Sequence, residues 1–588
     1  MQPLKLSTLI LIVCLLAIGS LSLCSCSSGK SEGEPFAIRW VYASRGLHND
    51  SDVEDLRRIV STASANGLNG ILLSAGFDRL EVQPDHYFQR LEQVKQLCAT
   101  NGIEIIPILW SAGYGGSVLA HNNNLGAGLP VREAPFVVKG GVAELTQDPK
   151  VKIINGNFEQ WNGQQAEGFS KPANWGSVIT RDTEIFKEGH SSLKFSDFAD
   201  KPEEDMRLGQ IVKVSPYRCY RVSCWVKTDG LEAYGPFSSS RFRLEVNATA
   251  NNRRLQFLDP VLPPTTDGWQ KVQVGFNSWE YDEVEISPRA VGGGQGKGGI
   301  WIDELTVEEM GPLNILRRPG TPLIVADAAS GTEYVEGEDF ATLTDPQLDY
   351  AWDHEPPRIK IIPGGKIKNG AKLKVSWYHG ASVNRHQVSA CMSEPETYDI
   401  WSREAELLVK HLAPKRWFLS MDEVRSGGTC QACRERGTNM GEIFGRSVAR
   451  QYQIIQQASP GADVFVWSDQ LDPNHNAGNR TGEYYYLNAS LFDNSWNHLP
   501  KELIIACWWH KMRNESLAHF SGLGFRTIGA SYYDADDLVN PAGWLVSLDN
   551  TPGALGIMYT SWQNKYELLG KFGEMVSNHE AKAPLLTQ

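Results

Sequence analysis

Two adjacent carboxylic acids, Asp422 and Glu423, are the residues of this sequence best placed to do chemistry. They follow the apolar run at 417–421, which is typical of a buried parallel strand. Parallel strands of α/β proteins carry functional residues at their C-terminal ends. Two acids there can divide the tasks of proton donor and of base or nucleophile. We therefore predict that Asp422 and Glu423 are the catalytic residues.

Four further apolar segments of the chain end in aromatic or acidic residues. Because neighbouring parallel strands bring their C-terminal ends to one rim, these residues are expected to surround the acid pair. Carboxyl groups supply the acid–base or nucleophilic catalysis that glycosidic cleavage needs, and aromatic faces stack on sugar rings. The combination is therefore typical of a sugar-cleaving site. The alternative is that the aromatic residues belong to the core and the acids are solvated. The residues predicted to bind substrate are Trp467, Asp469, Trp508, Tyr532, Tyr533, Asp534 and Trp562.

The adjacency of the two acids favours a particular kind of cleavage. Neighbouring residues of a strand point to opposite faces, but where the strand has ended both can reach one pocket. This suits substrate-assisted cleavage of 2-acetamido sugars, in which one acid protonates the leaving oxygen and the other orients the attacking acetamide. The proton donor must stay protonated near neutral pH, and burial and a neighbouring carboxylate raise a pKa in that direction.

The composition describes a soluble globular protein with more than one domain. The chain has 588 residues, of which 41% are hydrophobic and 21% are charged, and a single core rarely serves more than about 300 residues. The net charge is −13, with no long basic run in the mature part. Nucleic acid is therefore not expected as a partner, because phosphate binding needs clustered Lys and Arg.

The first 25 residues are predicted to be a lipoprotein signal peptide. An apolar run at 9–18 precedes Leu23-Cys-Ser-Cys26, which resembles a bacterial lipobox with Cys26 as the lipidated residue. Residues 26–35 form a soft tether. The alternative is an ordinary cleaved signal with incidental cysteines. We expect a lipid-anchored protein of the bacterial cell envelope, periplasmic or at the cell surface, that meets the membrane only through its anchor.

The remaining patterns predict a split barrel. Strand and helix patterns alternate in 36–154 and again in 372–580, and such alternation predicts parallel strands. Residues 155–311 contain short strands between turns and no convincing helix, which is typical of a β-sandwich, and 312–371 form a β-rich accessory segment. The predicted fold class is α/β: a (β/α)8 TIM barrel with an inserted all-β jelly-roll sandwich.

The segment 155–311 resembles the CenC-like carbohydrate-binding modules. It opens with an element that ends in Glu159, continues to Trp175, and closes on a Trp-Ile-Asp-Glu strand that contains Asp303. Calcium often bridges the first and last strands of such modules, so the resemblance implies Glu159 and Asp303 as calcium ligands. The alternative is that Asp303 caps a turn.

The order of the strand endings resembles glycoside hydrolase family 20, the β-N-acetylhexosaminidases. Those enzymes end the fourth barrel strand in Asp-Glu-Val and the next four in Trp-x-Asp/Glu, Trp, Tyr-x-Asp and Trp-x-Glu, and similar endings follow in that order here. The resemblance implies Glu423 as the general acid/base and Asp422 as the acetamide-orienting group. It further implies Tyr532 or Tyr533 as the donor to the acetamide oxygen. The walls around the sugar would be Trp467, Trp508 and Trp562.

Among the ten cysteines, Cys430 and Cys433 form a lone C-x-x-C pair. Without a second pair, zinc is weakly supported, and we interpret them as a local disulfide or as two plain thiols. No cofactor is expected for catalysis.

We expect an envelope-anchored, exo-acting β-N-acetylhexosaminidase-like hydrolase that retains configuration by substrate assistance, with a glycan or oligosaccharide as its partner. One alternative is a two-carboxylate retaining β-glycosidase in which Glu423 works with Glu394, Asp469 or Asp534. The other is a non-catalytic surface lipoprotein that binds glycans.

Overall fold

The computed structural model describes residues 35–147, 150–170, 175–198, 206–231, 241–258, 260–291, 298–383, 387–437, 439–478 and 487–580. The predicted signal peptide, Cys26 and nearly all of the tether lie outside these ranges. Within these ranges, no helix combines the length and the hydropathy that a membrane span requires.

Eight parallel strands close into a barrel, which confirms the predicted (β/α)8 fold. Each strand pairs with the next in chain order, and the eighth pairs with the first. In chain order the barrel strands are Ile38–Ser44, Gly70–Ser74, Glu104–Leu109, Arg416–Leu419, Asp463–Trp467, Ile504–Cys507, Arg526–Tyr532 and Ala554–Thr560.

Helices cover the outside of the barrel, and asparagine side chains cap the start of two of them. The side chain of Asn49 accepts a hydrogen bond from the N–H of Asp52, and Asn439 caps the N–H of Glu442 in the same way. Apolar residues at helical spacing are buried against the barrel. The α-helices are Asp50–Ala65, Asp85–Thr100, Gly116–His121, Pro395–His411, Gln431–Glu435, Met440–Ala458, Arg513–Gly522, Val539–Asp549 and Leu569–Ser577.

Large side chains fill the barrel interior. The rings of Trp40 and Phe465 lie 4.8 Å apart between centroids, and those of Phe418 and Trp467 lie 4.6 Å apart. All four are buried in one cluster with aliphatic residues of the other strands. Because the interior is packed, a substrate can be received only at the mouth formed by the loops after the strands.

Two antiparallel sheets form the predicted sandwich between the third and fourth barrel strands. Side chains of the strand Gln210–Lys213 alternate between buried and exposed, whereas Cys219–Asp229 is buried along most of its length. The five-stranded sheet contains Ile179–Asp182, Ser192–Ser196, Cys219–Asp229, Gln270–Asn277 and Gly299–Glu309. The four-stranded sheet contains Gln210–Lys213, Phe242–Ala248, Arg254–Leu258 and Glu283–Ala290.

A third, accessory sheet extends beyond the predicted segment 312–371. The strand Leu129–Lys139, before the sandwich, pairs antiparallel with Lys372–His379, after it. The two strands pair because the chain leaves and re-enters the barrel at the same place. The accessory sheet is completed by Val142–Leu145, Ile324–Asp327 and Ile359–Lys360. Two-stranded ladders join Ser426–Gly427 to Leu487–Asn488 and Trp161–Asn162 to Gln165–Ala166.

The sandwich and the accessory sheet share one hydrophobic cluster. The indole of Trp352 lies over Gly275, where any Cβ would overlap the ring. The side chain of Arg221 donates to the carbonyl oxygens of Trp352 and His354, and Gln256 donates to that of Ser382. The two layers are therefore one packed unit.

Candidate active site

The acid pair lies at the C-terminal mouth of the barrel. The fourth strand ends at Leu419, so Asp422 and Glu423 belong to the loop that follows. Glu423 has a φ of 49°, a left-handed conformation that is uncommon for a residue with a side chain. Its side chain therefore departs from strand alternation, and the two acids are not held on opposite faces.

The loop after the third strand closely supports this conformation. A Cβ added at Gly113 would lie 2.0 Å from the carbonyl oxygen of Asp422 and 2.8 Å from the carbonyl carbon of Glu423. Only glycine permits this approach of the two loops. The side chain of Gln387 donates to the carbonyl oxygens of both Gly113 (3.1 Å) and Glu423 (2.7 Å), and so ties the two loops together.

Two side chains hold the carboxylate of Glu423. The hydroxyl of Tyr114 donates a hydrogen bond to its Oε2, and Nη1 of Arg425 lies 3.0 Å from the same oxygen. Arg425 is buried and also donates to Oε1 of Gln387. Glu423 is therefore a positioned, ion-paired carboxylate that still lines a cavity.

Asp469, which follows the fifth strand, lies beneath Glu423. Its Oδ2 accepts the backbone N–H of Glu423 at 2.5 Å, and its Oδ1 accepts from the amide of Asn476. Burial, followed by the negative charge of Glu423, raises the pKa of Asp469 to about 7. Asp469 is fully buried and bonded to the backbone of Glu423, so it is placed to position Glu423. Its predicted role in binding substrate stays a prediction.

Asp422 is half-buried and accepts a hydrogen bond from the hydroxyl of Ser420 at 3.1 Å. Burial, then the charges of Glu423 and Asp469, raise the pKa of Asp422 well above its ordinary value. Tyr42 of the first strand lies near it, and burial, with a smaller contribution from Asp422, raises the pKa of Tyr42 to about 12. Asp422 is thus a carboxyl group with an unusually high affinity for a proton.

A cavity of about 350 Å³ opens beside Glu423. The rings of Trp508 and Tyr533 lie in its wall, nearly parallel and 6.0 Å apart between centroids. His475 packs between Trp508 and Trp509, and burial lowers its pKa to about 3, so its imidazole is neutral. The remaining lining residues are Asn476, His510, Lys511 and Asn540.

The other two predicted tryptophans form the floor of the mouth. Trp467 is buried at the end of the fifth strand, and its ring lies 6.1 Å from that of Trp562. Trp562 also packs on Tyr42 at 5.1 Å and edge-on to Tyr533 at 6.4 Å. The barrel therefore brings together Asp422, Glu423, Trp467, Trp508, Tyr533 and Trp562.

Two other predicted substrate-binding residues lie elsewhere. Tyr532 is buried and stacks on Tyr559 with centroids 4.1 Å apart, within the cluster between barrel and helices. Asp534 is buried, and its carboxylate accepts from the hydroxyl of Ser561 and the N–H of Trp562. The physical reason is a run of left-handed φ angles from Tyr532 to Asp534, which directs only Tyr533 into the cavity. Asp534 thus anchors the loop after the eighth strand.

The remaining candidate acids also have hydrogen-bond or ion-pair partners. Glu394 is buried in an ion pair with Arg318, 3.0 Å away. In the sandwich, Asp303 accepts the backbone N–H groups of Lys187 and Glu188, and Glu159 accepts those of His190 and Ser191. These amides occupy carboxylate oxygens that calcium would need, as expected for the turn-capping alternative, while the calcium site itself remains a prediction.

Sequence reasoning missed Tyr114, Gln387 and Arg425, the side chains that hold Glu423. Tyr114 and Gln387 lie 309 and 36 positions from Glu423 in the chain, so no local pattern connects them with it. Arg425 could have been noticed, because a cation two residues after the acid pair has no obvious role in a strand ending.

No family model matches this chain, and no curated protein matches it. Among solved structures, a chitobiase from Flavobacterium johnsoniae aligns with 94% of this chain at 10% identity and a TM-score of 0.37, and this chain spans 50% of that protein. A rhamnosidase from a Novosphingobium species aligns with 95% of this chain at 9% identity and a TM-score of 0.31, over 62% of its own length. A family 16 carbohydrate-binding module aligns with 26% of this chain at 19% identity and a TM-score of 0.19, over 97% of its length.

Proposed function

We propose that this chain is a glycoside hydrolase of the hexosaminidase type, with Glu423 and Asp422 as its catalytic acids. The observation that carries the proposal is the position of Glu423, whose side chain lines a cavity walled by Trp508, Trp509 and Tyr533. A carboxyl group facing stacked aromatic rings is what protonation of a glycosidic oxygen beside a bound sugar requires. The cavity volume, about 350 Å³, is near the lower end for small-molecule sites and supports the removal of one terminal sugar.

In this proposal Glu423 is the general acid/base, because it reaches the cavity, and Asp422 orients the acetamide of the substrate. Asp422 adjoins Glu423 in the same loop, so its carboxylate form would accept the acetamide N–H, whereas its raised pKa favours the protonated form and supports the second division of roles considered next. Tyr533, whose side chain lies in the same cavity, would donate its hydroxyl to the acetamide oxygen. The acetamide then attacks the anomeric carbon as the leaving oxygen takes the proton from Glu423.

One observation favours a second division of roles. Arg425 lies 3.0 Å from Oε2 of Glu423, and a buried guanidinium is a natural partner for a permanent carboxylate anion. Under that scheme Asp422 donates the proton and Glu423 is the nucleophile of a two-carboxylate retaining glycosidase. Both schemes place the same two acids at the reacting bond, and they differ in the need for an acetamide on the substrate.

We also propose that Cys26 is lipidated and anchors the chain in the bacterial envelope, which its lipobox-like context supports. Cys26→Ala should release the protein from the membrane fraction and abolish labelling by a fatty-acid analogue in growing cells. Labelling that survives Cys26→Ala would contradict the proposal.

The activity is tested with aryl β-glycosides of N-acetylglucosamine, N-acetylgalactosamine, glucose and galactose. Glu423→Gln keeps the shape of the side chain and removes its proton, so turnover should fall by about 10²–10⁴-fold. Asp422→Asn should also impair turnover. Glu406→Gln, at an exposed position of the outer helix Pro395–His411, is the matched control.

The substrate preference distinguishes the two schemes. Strong preference for the acetamido sugars and inhibition by a thiazoline mimic of the cyclised intermediate are the expected results. Equal cleavage of 2-hydroxy and 2-acetamido sugars without thiazoline inhibition would establish the two-carboxylate scheme instead. Absence of cleavage of any aryl glycoside, together with glycan binding in the same cavity, would favour the non-catalytic alternative.

A further inference from the structure

Three cysteines from two separate segments meet beside the loop that carries the acid pair. The Sγ atoms of Cys430 and Cys433 lie 3.5 Å apart, and that of Cys391 lies 3.6 Å from the first and 3.9 Å from the second. All three side chains are buried. They form one of the side-chain clusters within the described residues whose ligand atoms are close enough together to hold a metal ion.

We propose that Cys391, Cys430 and Cys433 bind a structural zinc ion. A tetrahedral centre with Zn–S bonds of about 2.3 Å places its sulfur atoms about 3.8 Å apart, close to all three separations seen here. A disulfide would instead bring two sulfur atoms to about 2.05 Å and leave the third apart. The nearly equilateral triangle fits one shared ion better than a pair and a spare thiol.

The surroundings of the triangle also fit an ion. A small cavity of about 10 Å³ borders all three cysteines and is lined further by Gly427 and Gly428. This is roughly the space that a single water-sized particle requires. Three soft sulfur donors without a hard oxygen ligand select zinc rather than magnesium or calcium.

Arg318 supplies the charge that such a centre needs nearby. Its guanidinium is buried against Cys391 and paired with Glu394 at 3.0 Å. Three thiols that bind Zn²⁺ release their protons to solvent and leave a centre with a net charge of about −1. Guanidinium N–H groups that face zinc-bound thiolates stabilise that charge. Glu394 already balances the charge of Arg318, and zinc-bound thiolates would give the guanidinium a second anionic partner.

The proposed zinc site would affect the candidate active site through the two chain segments that carry its cysteines. Cys430 and Cys433 lie at the start of the short helix Gln431–Glu435, a few residues after Glu423 and Arg425, and Cys391 lies four residues after Gln387. Gln387 bonds both to the carbonyl of Glu423 and to Arg425. An ion that joins these segments would fix the distance between Gln387 and the acid loop without touching the substrate.

Zinc content of the full chain tests the proposal directly. Protein purified without chelator should contain close to one zinc ion per chain, and Cys391→Ala and Cys433→Ala should each lower this content at least several-fold. Cys98→Ala, which removes a buried cysteine from the helix Asp85–Thr100 outside the cluster, should leave it unchanged. Chelator should lower the melting temperature of the wild-type chain, and added zinc should restore it.

Two further measurements use the wild-type chain, so they test the proposal even if the cysteine variants do not fold. Cobalt added to the chelated wild-type chain should give sulfur-to-cobalt charge-transfer absorption of a tetrahedral thiolate site. The intact mass under non-reducing, denaturing conditions should show all thiols reduced. A mass lower by two hydrogens with a peptide linking two of the three cysteines, or reduced thiols that bind neither zinc nor cobalt, would overturn the proposal. These readouts do not depend on glycosidase activity.

Discussion

The backbone N–H of Glu423 donates a 2.5 Å hydrogen bond to the buried carboxylate of Asp469. This bond joins the loops after the fourth and fifth barrel strands. The carbonyl of Glu423 accepts from Gln387 at 2.7 Å, so the residue is fixed on both sides of its Cα atom. A left-handed φ at a non-glycine residue costs about 1–3 kcal/mol, and these two bonds keep Glu423 in that conformation.

Asp469→Asn should flatten the pH dependence of stability. The pKa of Asp469 is about 7 in the folded chain, against about 3.9 for an unperturbed Asp. Because the folded-state pKa is raised, the stabilisation from this acid is complete below about pH 4 and is lost as the pH rises through about 7. The free energy of unfolding of wild type relative to the variant should therefore fall by up to about 1.4 kcal/mol per pH unit in that window.

Urea unfolding of both chains between about pH 5 and pH 8 measures this difference. Asp536→Asn is the control, because the side chain of Asp536 is fully exposed. A wild-type-to-variant difference that does not change with pH would show that Asp469 titrates normally.

The neighbouring tyrosines Tyr532 and Tyr533 should differ sharply in their effect on activity. Tyr533→Ala removes an aromatic wall of the cavity and should weaken substrate binding by about 2–12-fold, as expected for a lost stacking contact of about 0.5–1.5 kcal/mol. Tyr533→Phe should keep the stacking but reduce the preference for acetamido sugars. Tyr532→Phe, which alters a residue packed on Tyr559, should leave KM unchanged. These expectations are checked by KM and kcat on paired 2-acetamido and 2-hydroxy substrates, and equal effects at both positions would contradict the placement of the two side chains.

The sequence predicted the elements of the barrel mouth better than the orientation of individual side chains. Strand periodicity depends on local burial, so the run before Asp422 and the ends at Trp467 and Trp508 could be located from pattern alone. The orientation of the Tyr532 side chain depends on three successive residues with left-handed φ angles. Strand propensity does not predict such angles. Likewise, the third cysteine of the cluster, Cys391, lies 39 positions from Cys430, beyond any local spacing rule.

The sandwich should fold more stably with the accessory sheet than without it. Residues 155–311 alone would expose the apolar surface that now meets Trp352 and the strand Lys372–His379. A piece covering 127–383 retains that contact and should show a cooperative transition at a higher temperature. Trp352→Ala in the longer piece should cost about 3–5 kcal/mol, as for other buried Trp truncations. Calorimetry of the two pieces and the variant checks this, and identical melting temperatures for 127–383 and 155–311 would show that the sandwich is independent.

Gly113→Ala should disable the acid pair while leaving the fold largely intact. Gly113 does not have a left-handed φ, so its own backbone allows alanine. The obstacle is the backbone of the acid pair, whose Asp422 carbonyl oxygen would lie 2.0 Å from the added Cβ and whose Glu423 carbonyl carbon and oxygen would each lie 2.8 Å from it. The added methyl group must push the Asp422–Glu423 loop away, and a displacement of about 1 Å at catalytic groups reduces turnover by about 10²-fold.

Gly116→Ala is the matched control three residues along, because no atom lies within 4 Å of a Cβ at that position. The two variants are compared by kcat/KM on the preferred aryl glycoside and by melting temperature. If Gly113→Ala keeps the activity of Gly116→Ala, the close contact between the two loops does not position the catalytic acids.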